Sequence, residues 1–570
     1  MKFFSVLCLL CSFASTAWAL EREAFTVAKY DLEIRLEPEQ QRLGARGKIT
    51  LRNDSAHPQK IIALQISSSL NWRSIRVDGK AVQFVSQPYT SDIDHTGALS
   101  EAIVTLPVEI KPRDSVELEI GYEGVIPLDT TRLTRVGIPE GIAKHTSWDQ
   151  ISPSFTAVRG AGYVAWYPIT TESADFSEGN SLFEVVDRWK AREARSEFKA
   201  KLVASGVTGE APRFMICSPD GQRFIEAMDR AQQVSSECSW VRLGTVTPTF
   251  VFANYQDQSK PPFYLFSFPG HEEGATKYFN ALEPATKFVS GWFGQPSAAI
   301  AIADLADPNS APFESGTLLM ASMAAEDSKL AGINLVHELV HSALPSSRPW
   351  VYEGLAHFAE AMYRQEQGGR QAALDFLGLH RAAFLDSEKE VSAAPEKKVG
   401  QPLAVTFDET YYRSKAAYVW WMLRDMAGDD ALKEAIRKYR AEDDNDKAPK
   451  YVEQLIEAAA KRDLSWFFDD WVYQDRGLPD FHVQSVHPWK TEKGVQFITV
   501  TLENLGNAGA EVPFTIFFEG GEITKRMEVR AKATATTRVE LPGTASKIVV
   551  NDGSVPESDL TNNVFKVSAP

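Results

Sequence analysis

The stretch Ile333-Asn-Leu-Val-His-Glu-Leu-Val-His341 contains His337-Glu338-Leu339-Val340-His341. Two histidines four residues apart share one face of a helix, about a turn apart, so both imidazoles can reach one metal ion. Glu338 stands beside the first of them, where it can take a proton from water next to that metal. Leu330, Ile333, Val336, Leu339, Val340 and Leu344 recur at helical spacing, which predicts a buried helix that Pro345 ends. Asn334, His337 and His341 form a polar stripe along it. A second stretch with carboxylates, Trp350-Val-Tyr-Glu-Gly-Leu-Ala-His-Phe-Ala-Glu360, follows within a dozen residues. The pattern predicts a site for one zinc ion per chain.

Working outward, the 570-residue chain is long enough for about three domains. At 44% hydrophobic and 24% charged residues it has ample material for apolar cores. The net charge of −16, with no run of Lys or Arg, argues against nucleic acid or an anionic membrane surface as partner. Residues 1–19 read as a secretory leader: Lys2, the apolar run Phe3–Phe13, then Ala17-Trp18-Ala19 as a cleavage pattern. The run is too short for a membrane anchor, Leu10 before Cys11 is not the small residue that lipoprotein processing needs, and no later segment reaches transmembrane length. The expectation is an exported protein, periplasmic or secreted. Cys217 and Cys238 remain after cleavage. In an oxidising compartment they are expected to pair, two buried free thiols being the alternative.

The fold class expected is multidomain α+β. Residues 20–258 read as a β domain: Tyr30, Leu32, Ile34 and Leu36 alternate with Asp31, Glu33 and Arg35, and Asp78-Gly79 supplies a hairpin turn. Arg135 to Thr171 is less regular, and strand-like segments resume at Phe183. Residues 259–480 turn mixed and then helical, with helices expected over Thr276–Phe293, Ala372–Leu385, Lys415–Tyr439 and Tyr451–Ala460. Ala441-Glu-Asp-Asp-Asn-Asp446 reads as a charged turn, a solvated loop rather than a calcium site. Strand alternation returns in residues 481–570, which predicts a small β-sandwich.

These residues resemble the gluzincin zinc aminopeptidase family, of the aminopeptidase N and leukotriene hydrolase type. His337-Glu-Leu-Val-His341 matches the family's H-E-x-x-H, and Trp350-Val-Tyr-Glu-Gly-Leu-Ala356 resembles its W-L-N-E-G-F-A. The resemblance implies an N-terminal β saddle, a thermolysin-like catalytic domain with following helices, and a C-terminal Ig-like β-sandwich. It also implies Glu353 as third zinc ligand. Only 11 residues separate His341 from Glu353, fewer than in the family, and Glu360 stands at the family's interval. A shortened loop through Pro345–Pro349 favours Glu353, leaving Glu360 as partner of a ligating histidine. Two His, one Glu and water would make an open, catalytic zinc site.

Further roles follow from the same resemblance. Tyr411-Tyr-Arg-Ser-Lys-Ala-Ala-Tyr418 is similar to the Y-x-K-G-A segment whose Tyr steadies the oxyanion, giving Tyr412 that role with Tyr411 as rival. Ala311-Pro-Phe-Glu-Ser-Gly-Thr-Leu318 is similar to G-A-M-E-N, which makes Glu314, 23 residues before His337, the anchor for a substrate's amino terminus. The implied activity is removal of N-terminal residues from peptides by zinc-activated water, with Glu338 as general base. An endopeptidase or other hydrolase on the same scaffold is the alternative, as is an inactive peptide-binding relative, though binding alone does not require Glu338.

Overall fold

The computed structural model describes residues 20–178, 181–205, 214–217, 233–324, 327–393, 402–445, 447–492 and 495–567. The leader expected over residues 1–19 therefore lies outside the described residues, as does Asp446 of the expected charged loop. The chain is mixed α+β, with several separate sheets and a block of helices.

The strand Phe25–Glu37 buries Tyr30, Leu32, Ile34 and Leu36 in the alternation the sequence predicts. It lies inside a seven-stranded sheet, antiparallel to Arg42–Asn53 and parallel to Glu197–Ala204, with Leu32 opposite Ala200. At one edge of that sheet Leu70–Val77 turns back into Lys80–Ala81. Asp78 and Gly79 both have positive φ there, 51° and 72°, as a two-residue hairpin turn requires. A three-stranded sheet of Gln59–Ser67, Ala98–Ile110 and Phe84–Thr90 shares the same apolar core. A second small sheet holds Phe155–Val158, Phe250–Ala253 and Phe214–Cys217. Cys217 and Cys238 form a disulfide, which ties this small sheet to the edge strand Val234–Trp240 of the large one.

The strand expected at Phe183 is a helix, Ser181–Glu193. Leu182, Val185 and Trp189 recur three and four residues apart and turn inward, leaving Phe183 exposed. The irregular stretch before it holds two short helices, Thr131–Arg135 and Glu140–Thr146.

Beyond Tyr255 a five-stranded sheet forms, with Phe263–Ser267, Ile300–Asp304 and Leu318–Ala321 parallel and Phe313–Ser315 antiparallel on Leu318–Ala321. The helices Glu272–Trp292 and Ser328–Ala343 pack beside it. Leu330, expected in the apolar stripe, is 53% exposed because it lies in the helix's first turn, ahead of its buried face. The helix Pro349–Ala393 bends at Gly369, whose φ is 80°. Gly428, with φ 85°, likewise splits the helix expected over Lys415–Tyr439 into Ala416–Ala427 and Asp429–Lys438. Ahead of the first of these, Thr410–Lys415 is a π-helical turn.

The C-terminal strands form two facing sheets, Phe481–Lys490 with Gln496–Asn504 and Ala533–Leu541, and Gly521–Val529 with Ala510–Phe518, Ala545–Val550 and Val564–Lys566. Their core continues into the helices without a break: Trp471 is buried among both and its indole donates to the Gly509 carbonyl at 2.8 Å. No helix among the described residues is long and apolar enough to cross a membrane.

Candidate metal centre

The two motif helices are fixed by local chemistry. Asp327 caps Ser328–Ala343, its carboxylate accepting from the Lys329 amide at 2.7 Å. Pro349 opens the next helix, where its missing N–H costs nothing. Gly354, next to Glu353, is needed for packing: a Cβ there would lie 2.6 Å from the Ala416 Cβ. The Trp350 and Trp420 rings stack 4.9 Å apart, and the Trp420 indole donates to the Trp350 carbonyl at 3.0 Å. The helix carrying Glu353 is thereby locked against the one that follows the turn Thr410–Lys415.

His337, Glu338, His341 and Glu353 are all buried. His337 Nε2 lies 3.0 Å from His341 Nε2 and 3.7 Å from Glu353 Oε2, while His341 Nε2 lies 3.6 Å from Glu353 Oε1. Donors bonded at about 2.0–2.2 Å to a tetrahedral zinc stand roughly 3.3–3.6 Å from one another. The three residues come within a few tenths of an ångström of that spacing, with one Glu353 oxygen toward each imidazole. Glu314 reaches the same place from the strand Phe313–Ser315, with Oε2 3.0 Å from His337 Nε2.

Glu360 occupies the other side of the ring. Its Oε1 lies 3.1 Å from His337 Nδ1 and its Oε2 2.8 Å from His357 Nδ1. One carboxylate thus accepts from two imidazoles and leaves the Nε2 edge of His337 facing Glu353 and His341. Glu314, His337, Glu353 and His357 each bring a ligating atom within 4.8 Å of one another, as do His357, Glu360 and His380.

The electrostatics follow from crowding four carboxylates around buried imidazoles. Burial alone would lower the His337 pKa, but Glu314 and Glu360 outweigh it and hold it well above its ordinary value. The His341 value is pushed well below, first by burial. Burial opposes ionisation of Glu353, yet His341 and Arg413 keep it below the usual carboxylate range. Glu338 goes the other way: burial pushes it well above that range. Neither of its carboxylate oxygens has a hydrogen-bond partner among the described residues. Such a group gains by accepting a proton.

The tyrosines expected near the site are both buried. Tyr411 packs under the Lys415 ammonium, 5.2 Å from its ring centre. Tyr412 faces Lys190, whose ammonium lies 6.0 Å from the ring and 2.8 Å from Glu409. The residue the turn brings to the carboxylates is Arg413, with Nη2 2.9 Å from Glu314 and Nε 3.8 Å from Glu353 Oε2. Sequence reasoning did not single it out, although it lies inside the segment that drew attention to the tyrosines. Tyr352, stacked 3.8 Å from the His341 ring at 17°, was likewise read only as part of a motif. Arg242 covers Tyr352 from the N-terminal half of the chain, 5.1 Å from its ring, and carried no sequence signal.

No protein-family model matches the chain, and no curated protein matches it in sequence. Among solved structures it is similar to a mutant of an M1 zinc metallopeptidase from Deinococcus radiodurans. The identity is 15% and the TM-score 0.44, over 80% of this chain and 96% of that one.

Proposed function

We propose that the chain is a zinc-dependent peptidase, and that it removes residues from the amino terminus of peptides. The observation that carries the zinc-peptidase reading is the convergence of His337 Nε2, His341 Nε2 and the two Glu353 oxygens, at 3.0, 3.6 and 3.7 Å, beside a buried Glu338 whose carboxylate oxygens have no hydrogen-bond partner among the described residues. His337, His341 and Glu353 would hold the zinc. When bound, zinc supplies Lewis acidity toward water and the scissile carbonyl. Glu338 takes the proton of the attacking water and passes it to the leaving amine, a task suited to a carboxylate whose burial disfavours its charge. Glu360 keeps the His337 ring in the ligating orientation through Nδ1. Glu314 accepts the substrate's α-ammonium group. In this reading the helices and five-stranded sheet form the thermolysin-like catalytic part. The chain works outside the cytoplasm, which the Cys217–Cys238 disulfide supports.

The endopeptidase reading keeps one observation of its own. Arg413 already pairs with Glu314 at 2.9 Å, so a free ammonium group would meet a half-neutralised carboxylate. Two measurements on purified protein separate the readings. Metal content should collapse in Glu353→Ala and fall only partly in Glu360→Ala; the reverse order would reassign the ligand. Free peptides should be cleaved and N-acetylated ones should not. Cleavage of blocked peptides, unchanged by Glu314→Ala, would replace the aminopeptidase reading with the endopeptidase one.

A further inference from the structure

We propose that Arg413 is a catalytic residue of this site, donating hydrogen bonds from its guanidinium to the oxyanion that forms as a peptide carbonyl is attacked. The proposal rests on the peptidase reading and names a group that reading leaves open. Hydrolysis needs a donor aimed at the carbonyl oxygen in a place from which water is largely excluded. Arg413 reaches into the carboxylate cluster. Its Nη2 lies 2.9 Å from Glu314 Oε1, while the other oxygen of that carboxylate lies 3.0 Å from His337 Nε2. A carboxylate of the chain itself therefore spans the space between the imidazole and the guanidinium, one oxygen at each end. A tetrahedral carbon bearing two oxygens has the same span, and so does the carboxylate product, and either takes this place as Glu314 turns from it to the substrate's ammonium group.

The guanidinium also has capacity left. Its Nε has no hydrogen-bond partner among the described residues, although it is buried. That Nε faces Glu353 Oε2 at 3.8 Å, while the side chain as a whole is 33% exposed, so it is the outer part of the guanidinium that is open to a substrate. Tyr411 and Tyr412, both ahead of it on the same turn, have their rings 5.2 Å from the Lys415 ammonium and 6.0 Å from the Lys190 ammonium. The π-helical turn Thr410–Lys415 makes this arrangement, since widening a helix by one residue changes which side chain faces the neighbouring element.

The chemistry balances. The water oxygen forms a bond to the carbonyl carbon, the C=O π pair moves onto the oxygen facing Arg413, and Glu338 takes one water proton. When the C–N bond breaks, that pair re-forms the carbonyl and the bonding pair leaves with nitrogen. Nitrogen collects both water protons, one through Glu338, and the products are a carboxylate and an ammonium. Arg413 carries no proton in this sequence; it holds negative charge in the tetrahedral state and again in the product.

The test uses the zinc-loaded protein with Arg413→Met, Arg413→Lys and Tyr412→Phe. Calorimetric affinity for a phosphinic peptide, a tetrahedral anion, is measured alongside kcat and KM. Arg413→Met should keep its metal and melting temperature, lose about 10²–10³ in kcat with little change in KM, and bind the phosphinate weaker by a comparable factor. Arg413→Lys, with the charge but not the planar fork, should fall between. Normal kcat and phosphinate affinity in Arg413→Met, or the larger loss in Tyr412→Phe, would overturn the proposal. Loss of zinc from both Arg413 variants would also overturn it, by making Arg413 a positioning residue for Glu353. A wild-type protein that cleaves no peptide would sink the peptidase reading instead, and the phosphinate comparison would still decide on Arg413.

Discussion

Two cations sit two residues apart on the turn Thr410–Lys415 and meet opposite fates. Lys415 is fully buried, 3.0 Å from Glu388 and hydrogen-bonded to Asp475, with the rings of Tyr411, Phe384 and Trp471 5.2–5.8 Å from its ammonium. Those partners come from the long helix and from the segment leading into the C-terminal sheets, so the cluster joins parts of the chain to one another. Arg413 also has two carboxylates near it, but its side chain is a third exposed and Nε is unspent. A closed ion cluster has nothing left to offer a substrate. The open one has donors and access, which is what chemistry requires.

The open side predicts the largest effect. Glu338→Gln keeps the shape of the side chain but cannot accept a proton, so hydrolysis should fall by about two to four decades. Metal content should not change, since Glu338 is not among the three donors. Turnover near the wild-type rate in a zinc-loaded Glu338→Gln would remove Glu338 as base and leave Arg413 without a partner in the mechanism.

The closed side predicts a loss of stability and no loss of chemistry. Lys415→Met leaves Glu388 and Asp475 buried without their cation, and breaking such a cluster costs about 3–5 kcal/mol. Burial already pushes the Glu388 carboxyl up, so part of the loss would be relieved by protonation as pH falls. Denaturant titration should give this destabilisation for Lys415→Met and little for Arg413→Met. Equal destabilisation by the two variants would erase the distinction between them.

What the sequence could tell follows the same division. His337, Glu338 and His341 lie within five residues on one helix, so spacing alone brings them together. Glu353 and Glu360 share the next helix, and which one faces the histidines' Nε2 atoms depends on the loop through Pro345–Pro349, whose path no periodicity encodes. The turn at Thr410–Lys415 defeats helical spacing outright. Each α-helical residue advances about 100°, and a π turn breaks that count, so the spacing that points to Tyr411 and Tyr412 does not point to Arg413 beside Glu314. Lys190 and Arg242 arrive from the N-terminal half, and no local pattern joins them to His341. The strand expected at Phe183 is a helix because Leu182, Val185 and Trp189 follow the longer period. The turns at Asp78-Gly79 and the alternation of Tyr30 to Leu36 were legible because a single strand or hairpin fixes them.

The smallest effect belongs to a third kind of cluster, a carboxylate held by neutral donors alone. Glu557 is fully buried; its Oε2 accepts from the Phe481 amide at 3.0 Å, and its Oε1 from Asn551 at 2.6 Å and from Asn563. With no ion pair to it among the described residues, burial wins over these hydrogen bonds and pushes its pKa up to about 7. The unfolded chain releases this proton near the ordinary value of 4.5, so between the two values the folded protein holds a proton that the unfolded one has lost. Stability from this group is full below the lower value and declines as pH rises through the window, by at most about 1.4 kcal/mol per pH unit. Glu557→Gln, which does not titrate, should flatten the decline when urea midpoints are compared at about pH 5 and about pH 6.5. The Arg413 variants should leave the slope untouched, because their cluster lies among the helices rather than in the C-terminal sheets. An undiminished slope in Glu557→Gln would mean that the Asn551 and Asn563 amides hold the carboxylate ionised, and that neutral donors can do for a buried charge what Arg413 and Lys415 do for theirs.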